Sequence, residues 1–241
     1  MARDTYGEIW NHVKLRCPAA SSFLCRDWVT NAFRQVAERR RWSWLIKYGQ
    51  FIAPAVTNVG TVSVVNFSTT VNGIGTAWTQ AHVGQQFRIG VSPIYTVASV
   101  FSPTSLELDN VWGPASAATQ RYQIFQCYFT PPDDFHAFVR LWDPNMNWGL
   151  GLGAQQNDLN GWDAQRASSG NAWYAVALDY GITGLPRYEL WPHQLASYCY
   201  PFMYESRPKD LQDPGATLPR FIRGDVLMEL ALAEAARWPG P

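Results

Sequence analysis

The sequence predicts an α+β protein: a helical bundle formed by N- and C-terminal helices, with an inserted small antiparallel β-barrel or sandwich module and a second β-hairpin region. Apolar residues recur at helical spacing near both ends of the chain, while short alternating runs fill residues 60–126 and 172–204. We therefore predict an N-terminal helical segment at 1–53 and an inserted β-module at 54–129. A third region at 130–241 contains loops, the hairpin and a C-terminal helix that completes the bundle.

Two helices are predicted before the β-module. The first covers residues 6–15 and ends before Pro18. Ser21 or Ser22 is then expected to cap a longer helix to about Trp44, because a serine hydroxyl accepts hydrogen bonds from the free N–H groups of a first turn. The apolar faces of the two helices contain Ile9, Trp10, Val13, Trp28, Ala32 and Val36.

The β-module is predicted from its alternation. It opens with GTVSVVNFSTTVNGIGTAW, where β-branched and aromatic residues alternate with Thr, Ser and Asn, as in strands with one buried face. About six strands of this kind are enough for a small closed barrel or sandwich. The runs are separated by residues that accept positive φ or favour turns, namely Asn66, Asn72, Gly73, Gly75, Gly90, Pro93 and Pro103.

The motifs of this module resemble those of head-to-tail adaptor (connector) proteins of tailed bacteriophages. The resemblance lies in the runs GTVSVVNFSTTVNGIGTAW, VGQQFRIG, IYTVASV and SPTSLELD. Their flanks are similar as well: an N-terminal helical segment, a PPDDFH segment and a C-terminal helix of the type RGDVLMELALAEAARWP. The pattern GTVxVxNxSxxVxGxGT also occurs in other phage virion proteins, so another tail component is the alternative.

The resemblance implies a structural virion protein with no catalytic activity, cofactor or metal. Adaptors of this family form a symmetric ring, typically of twelve copies, between the portal and the tail, and double-stranded DNA passes through the channel during ejection. The implied partners are copies of the chain itself, the portal protein, and tail or nozzle proteins. The implied location is the head–tail junction of a virion assembled in the host cytoplasm, with no membrane.

The most basic stretch is RRRWSWLIK at 39–47. Its guanidinium groups can pair with DNA phosphates or with carboxylates of a neighbouring subunit. The alternative is a solvated helix end, where cations favour the C-terminal dipole. Under the adaptor interpretation, the predicted portal or neighbour interface consists of Arg39, Arg40, Arg41, Arg237 and Trp238.

The C-terminal helix is the clearest helix of the sequence. Pro219 suits a first-turn position, Asp225 and Glu229 lie early, and Arg237 lies late, as the helix dipole favours. Its broad, Ala-rich apolar surface is expected to pack against the helix predicted to start at Ser22.

The segment DPNMNWGLGLG at 143–153 is predicted to be a mobile or contact-making loop. Its alternating glycines do not form the GxGxxG pattern of a phosphate-binding turn. Within it, Asn145, Asn147 and Trp148 are the predicted contacts with the next ring on the tail side.

A second β-region is predicted towards the C-terminus. A short helix at 159–167 precedes a strand at 172–180, a turn at Gly181 and Gly184, and a returning strand at 187–191. The extended stretch 197–204 is rich in aromatic residues. It is predicted to be an edge strand or a bulge, since Pro201 lacks the N–H that a central strand needs.

Two other functions are compatible with the sequence. A carbohydrate-binding module would stack sugars on Trp78, Trp112 and Trp148. A glycoside hydrolase needs two carboxylates, and the acids that can supply them are Asp133 or Asp134 with Asp143, Asp163 or Glu189.

The adjacent acids of TPPDDF, at 130–135, have a structural alternative. They can cap a short helical turn through Val139 and Leu141, which is the commoner role of acids after a Pro-Pro pair. Nucleophile-elbow, Walker and zinc motifs do not occur in the sequence.

Composition sets the remaining limits. Lys plus Arg and Asp plus Glu both number 19, so no overall positive charge favours nucleic acid. Aromatic residues make up 15%, which favours either a large aromatic core or a subunit with buried faces. The first residues lack a secretory pattern and no run of 18 apolar residues occurs, so a cytoplasm-like compartment is expected. Cys17, Cys25, Cys127 and Cys199 are predicted to be small core residues rather than disulfide or metal ligands.

Overall fold

The protein is mostly β-structure. The computed structural model describes residues 5–180 and 184–238. Strands make up 35% of the chain and helices 23%, with four helices and a curled seven-stranded antiparallel sheet. The predicted fold, a bundle of terminal helices with an inserted β-module, is therefore wrong. The prediction gave most weight to helical periodicity at the termini and missed the strands at 46–53 and 135–143, where burial alternates only in part.

The described residues form four α-helices and fourteen strands. The helices are α1 (Tyr6–Arg16), α2 (Ser22–Glu38), α3 (Gln156–Trp162) and α4 (Gly224–Ala235). The strands before residue 127 are β1 (Ile46–Ala53), β2 (Thr61–Val64), β3 (Thr70–Ile74), β4 (Gln86–Arg88), β5 (Tyr95–Ser102), β6 (Ser105–Leu108), β7 (Ala117–Gln120) and β8 (Gln123–Phe125). The later strands are β9 (Tyr128–Phe129), β10 (Phe135–Asp143), β11 (Trp148–Gly149), β12 (Tyr174–Tyr180), β13 (Pro186–Trp191) and β14 (Tyr198–Ser206).

The chain divides into two compact units. Unit 1 consists of Met1–Lys47 and Glu205–Pro241, and unit 2 is Tyr48–Tyr204. In unit 1, α1, α2 and α4 pack against one another. The core of unit 1 contains Tyr6, Ile9, Val13, Ala20, Cys25, Trp28, Val29, Ala32, Phe33, Leu211, Ile222, Leu227, Met228, Ala231 and Ala235.

The helix ends of unit 1 follow local chemistry. The Ser21 hydroxyl accepts a hydrogen bond from the Leu24 N–H at 3.2 Å, which confirms Ser21 as the cap of α2. The helix ends at Glu38, and the prediction that it reaches Trp44 is wrong. The indole N–H of Trp42 donates to the Val36 carbonyl at 2.9 Å, so this side chain satisfies a free carbonyl of the last turn.

Helix α4 starts later than predicted. Pro219 lies in a turn, where its carbonyl accepts a hydrogen bond from the Ile222 N–H at 2.8 Å, and the helix begins only at Gly224. The expected place of Pro219 in the first helical turn is therefore wrong. No side chain caps this helix end, and Asp225 in the first turn pairs with the Arg223 guanidinium.

In unit 2, the seven-stranded sheet has the order β7-β2-β3-β6-β5-β4-β8. Consecutive partners such as β2 and β3 are antiparallel, with Val64 opposite Val71. The alternation predicted from the sequence places one face of these strands in a shared core. That core contains Val62, Val64, Val71, Trp78, Phe87, Tyr95, Val97, Val100, Leu106, Leu108, Trp112, Tyr122 and Ile124.

Two smaller sheets have the orders β1-β14-β10-β11 and β12-β13-β9. Strand β14 lies between two neighbours, so the first alternative predicted for Pro201, an edge strand, is wrong, while the second, a bulge, stays a prediction. Burial of Tyr200, Phe202 and Tyr204 on one face offsets the one hydrogen bond that proline cannot donate. The core beside these strands contains Phe51, Ala53, Phe129, Phe135, Leu141, Leu150, Ala172, Ala175, Leu190, Tyr200, Phe202 and Tyr204.

Two local helix predictions also need correction. The short helical turn expected through Val139 and Leu141 is part of β10, because packing of the Phe135 and Leu141 side chains in the core favours the extended chain. The helix expected at 159–167 is α3, which is shorter and begins at Gln156 with Gln155 as its N-cap. The turn predicted at Gly181 lies outside the described residues.

Candidate functional site

The basic stretch at the end of α2 is exposed. Arg39 is the C-cap residue, and it makes no ion pair within the described part of the chain. The Arg40 guanidinium lies over the Trp42 ring, 3.8 Å from its centroid. The Arg41 Nε lies 3.2 Å from an oxygen of Glu205, so its charge is already compensated. Arg39 and Arg40 are therefore the cations that this surface offers to a partner.

Trp238 has an internal role. Its ring packs edge-on against Trp28, with centroids 5.9 Å apart, and the residue is half-buried. Arg237 is exposed in the turn that follows α4. Trp28 and Arg39 are eleven positions apart on α2, roughly 16 Å along a helix axis. The structure therefore separates Trp238 from Arg39, Arg40 and Arg41, three of the four arginines with which it was grouped.

The predicted tail-side loop is an ordered β-hairpin. The buried Asp143 Oδ1 accepts hydrogen bonds from the Asn145 and Met146 N–H groups, both at 2.9 Å, and from the Tyr198 hydroxyl. Strands β10 and β11 then pair, with Asp143 opposite Trp148. Asn145 and Asn147 lie exposed at the tip, where they are available for contact.

The Trp148 side chain is fixed by two contacts within unit 2. Its ring packs on Trp173 at 4.9 Å and its indole N–H donates to the Ala172 carbonyl at 3.3 Å. Of the three predicted tail-side residues, Trp148 is the one whose side chain is fixed by contacts within the fold. Burial, followed by the Asp143 carboxylate, raises the pKa of the Tyr198 hydroxyl that anchors the same hairpin.

The aromatic residues named for sugar stacking lie mainly in the interior. Trp78 and Trp112 are buried in the core of the seven-stranded sheet, so a glycan cannot reach their faces. Among the described tryptophans, the exposed rings are those of Trp162 and Trp173, at 52% and 56% exposure. Their exposure depends on tertiary packing, and periodicity alone contained no signal for it.

The acids named for catalysis are engaged in hydrogen bonds, with the exception of the exposed Asp133. Asp134 accepts from the Tyr204 hydroxyl at 2.9 Å, and burial followed by this bond raises the pKa of Tyr204 to about 12. Burial alone would raise the pKa of Asp163. Hydrogen bonds from the Ser168 N–H, the Trp191 indole and the Ala167 N–H outweigh it and lower that pKa to about 2.

A buried polar cluster in unit 2 was not predicted. The Arg166 Nε lies 2.6 Å from Glu189 Oε1, and the two side chains are 12% and 3% exposed. The other Arg166 donors reach the carbonyls of Leu159 and Asp163 and the side chains of Gln156 and Asn160. A pocket of about 440 Å³ opens beside this cluster. Since the donors of Arg166 and both oxygens of Glu189 have partners, the pair is structural.

The described ranges are 5–180 and 184–238. There, no group of three or more His, Cys, Asp and Glu residues is placed to hold a metal ion. None of the helices in these ranges has the length and apolar character needed to cross a bilayer. All four cysteines are free, with Cys199 exposed and Cys25 and Cys127 buried.

A scan against models of protein families finds no match for this chain, and a search of curated proteins finds no significant similarity.

Proposed function

We propose that this chain is a structural virion protein, a head-to-tail adaptor that forms a ring between the portal and the tail of a tailed bacteriophage and lines the DNA passage. Its partners are then other copies of the chain, typically twelve in a ring of this family, the portal protein and tail or nozzle proteins. Its place is the head–tail junction, and its work needs no catalytic step.

Exposed large apolar side chains are the observation that supports this proposal. In unit 1, Leu15, Phe23 and Phe221 are 75%, 80% and 68% exposed. Burying one such side chain stabilises an interface by about 1.5–3 kcal/mol relative to leaving it in water. Large exposed apolar residues are typical of surfaces that a protein partner covers.

Unit 2 has exposed apolar residues of its own. Phe67, at the β2–β3 hairpin, is 78% exposed and has a φ of +61°, a conformation that costs energy for a residue with a side chain. The Asn66 side chain donates to the carbonyls of Gly113 and Pro114 at 2.8 Å and holds this hairpin in place. Exposed apolar residues in both units suit a ring subunit, whose heterologous contacts join two different patches.

The exposed arginines of the basic stretch support binding to an acidic partner. Arg39 and Arg40 are exposed and carry no carboxylate partner within the described residues. In the proposed ring they face DNA phosphate or an acidic neighbour, since guanidinium groups pair well with both. The balanced total charge of the chain agrees with non-specific passage of DNA rather than with tight binding.

Assembly is the direct test. The purified chain, alone and mixed with the portal protein of the same virus, is examined by light scattering and negative-stain microscopy. We expect a ring, or an assembly that forms only with the portal. Phe23→Ser and Phe221→Ser should weaken assembly, whereas Lys209→Ser, an exposed polar control in unit 1, should not. A chain that stays monomeric and ignores the portal contradicts the proposal.

A carbohydrate-binding module is the second candidate, and the exposed Trp162 and Trp173 rings favour it. Aromatic rings at a surface stack on the apolar faces of sugars. Glycan-array binding that is lost in Trp173→Ala, together with a monomer that ignores the portal, would select this candidate. Glycan turnover that is lost in Asp133→Asn would instead identify a hydrolase.

A further inference from the structure

A second pocket in unit 2 is lined by cations without a counter-charge. It has a volume of about 570 Å³. Its lining contains two arginines, several amide and hydroxyl groups, and no acidic residue. The lining residues are Asn58, Gly60, Thr61, Arg88, Gly90, Arg121, Tyr122 and Gln123.

Strand pairing places Arg88 beside the segment that carries Arg121. Arg88 on β4 lies opposite Gln123 on β8, so these two side chains point to the same side. Arg121 lies in the link between β7 and β8, two positions before Gln123, and lines the same pocket. The pocket therefore brings the two arginines together where β4 ends and β8 begins.

Arg88 is buried and has unused donors. It is 5% exposed, and its Nη1 donates to the carbonyls of Arg166 and Gln165 at 2.6 and 3.3 Å. Its Nε has no hydrogen-bond partner but is shielded from solvent, so the donor that can face the pocket is Nη2, which makes no hydrogen bond within the described residues. Within ranges 5–180 and 184–238, no carboxylate forms an ion pair with it. A buried cation in this state lacks the partner that normally offsets its desolvation.

Burial and nearby charges shift the pKa values of Arg88 and of a neighbouring histidine. Burial lowers the pKa of Arg88, with Asp163 acting in the opposite direction. His193 is also buried, stacks on Phe125 at 4.5 Å and has an unpartnered Nε2. Burial and then the positive charge of Arg88 lower the pKa of His193 to about 4, so the imidazole adds no charge at neutral pH.

We infer that this pocket binds an oxyanion, the phosphate or carboxylate group of a small ligand, between Arg88 and Arg121. Two guanidinium groups with free N–H donors match the lone pairs of such a group. The Asn58 and Gln123 amides and the Thr61 hydroxyl can donate to its remaining oxygens. Every residue that lines the site lies in unit 2 of one chain, so the site needs no second copy of the chain.

The test is a titration of the full chain with sodium phosphate, sodium acetate and sodium chloride at constant ionic strength. Binding is followed by calorimetry and by the melting temperature, which a ligand of the folded state raises. Saturable binding of phosphate or acetate, but not of chloride, is expected. The stronger of the two identifies a phosphate or a carboxylate site.

Variants locate the site. Arg121→Gln, an exposed substitution that should leave the fold intact, is expected to weaken oxyanion binding about tenfold or more. Arg88→Met should abolish binding, and Arg140→Gln, which removes an exposed charge outside the pocket lining, should not change it. The inference is overturned if chloride reproduces the effect in the unmodified chain, or if Arg121→Gln and Arg140→Gln behave alike.

Discussion

The Arg166–Glu189 pair provides the sharpest stability prediction. Replacing Arg166 by Met removes the one cation beside a carboxylate that is 3% exposed. It also leaves the carbonyls of Leu159 and Asp163 without this donor. Removing one partner of a buried ion pair costs about 3–5 kcal/mol, a large part of the ~5–15 kcal/mol that stabilises a typical protein.

Urea and thermal unfolding, followed by near-ultraviolet circular dichroism, measure this cost. For a chain of this size, a loss of about 3–5 kcal/mol lowers the melting temperature by roughly 6–20 °C. The double variant Arg166→Met/Glu189→Met removes both charges, so we expect it to be more stable than Arg166→Met alone. The free-energy change of the double variant is compared with the sum of the changes in the two single variants. The difference measures the interaction within the pair, separately from other damage to the site.

An exposed ion pair is the matched control. Arg187 and Asp179 form a comparable contact at 2.5 Å, but their side chains are 37% and 45% exposed. Asp179→Asn is therefore expected to cost only about 0–1 kcal/mol, because water screens the pair. The structural interpretation of Arg166 is refuted if Arg166→Met and Asp179→Asn lower the free energy of unfolding equally.

Three further predictions concern two of the three cores and the response to acid. Tyr122→Phe leaves the buried Trp78 indole N–H without its acceptor at 3.0 Å, so the free energy of unfolding in urea should fall by about 1–3 kcal/mol. The pKa of His193 is about 4 when folded and near 6.5 when unfolded, so protons bind the unfolded chain preferentially and stability should fall as the pH drops from about 6.5 to 4. This loss, at most about 3 kcal/mol, should be absent in His193→Phe. Trp238→Ala removes the ring contact with Trp28 and should cost about 0.5–1.5 kcal/mol beyond the lost apolar burial, as measured by thermal unfolding.

Each of these predictions has a control. Tyr48→Phe removes an exposed hydroxyl and should leave stability unchanged, unlike Tyr122→Phe. A pH profile for His193→Phe that matches the parent between pH 6.5 and 4 would show that another group titrates there. Arg237→Ala should leave the melting temperature unchanged, and an effect equal to that of Trp238→Ala would contradict the internal role given to Trp238.

Local patterns predicted several elements correctly. The Ser21 cap and the strands β12 and β13 follow from neighbouring residues, because capping and alternation act over a few positions. The same patterns failed at β10 and at Pro201. There, packing of aromatic side chains from distant segments decided the conformation against local preference.

The candidate sites were likewise predictable only where they depend on residues close together in the chain. The exposure of Arg39 and Arg40 agrees with their charge, and Asn145 and Asn147 lie at a hairpin tip. The anion pocket was not predicted, because Arg88 and Arg121 are 33 positions apart and become neighbours only through the pairing of β4 with β8.

By itself, the sequence determined the terminal helices and the alternation of the β-module, since both depend on residues close together in the chain. Only the tertiary structure decided that strands predominate, that Trp78 and Trp112 are interior, and that Arg166 meets Glu189. The physical reason is that burial and the pairing of charges are properties of surfaces brought together from distant parts of the chain, and no local pattern specifies which surfaces will meet.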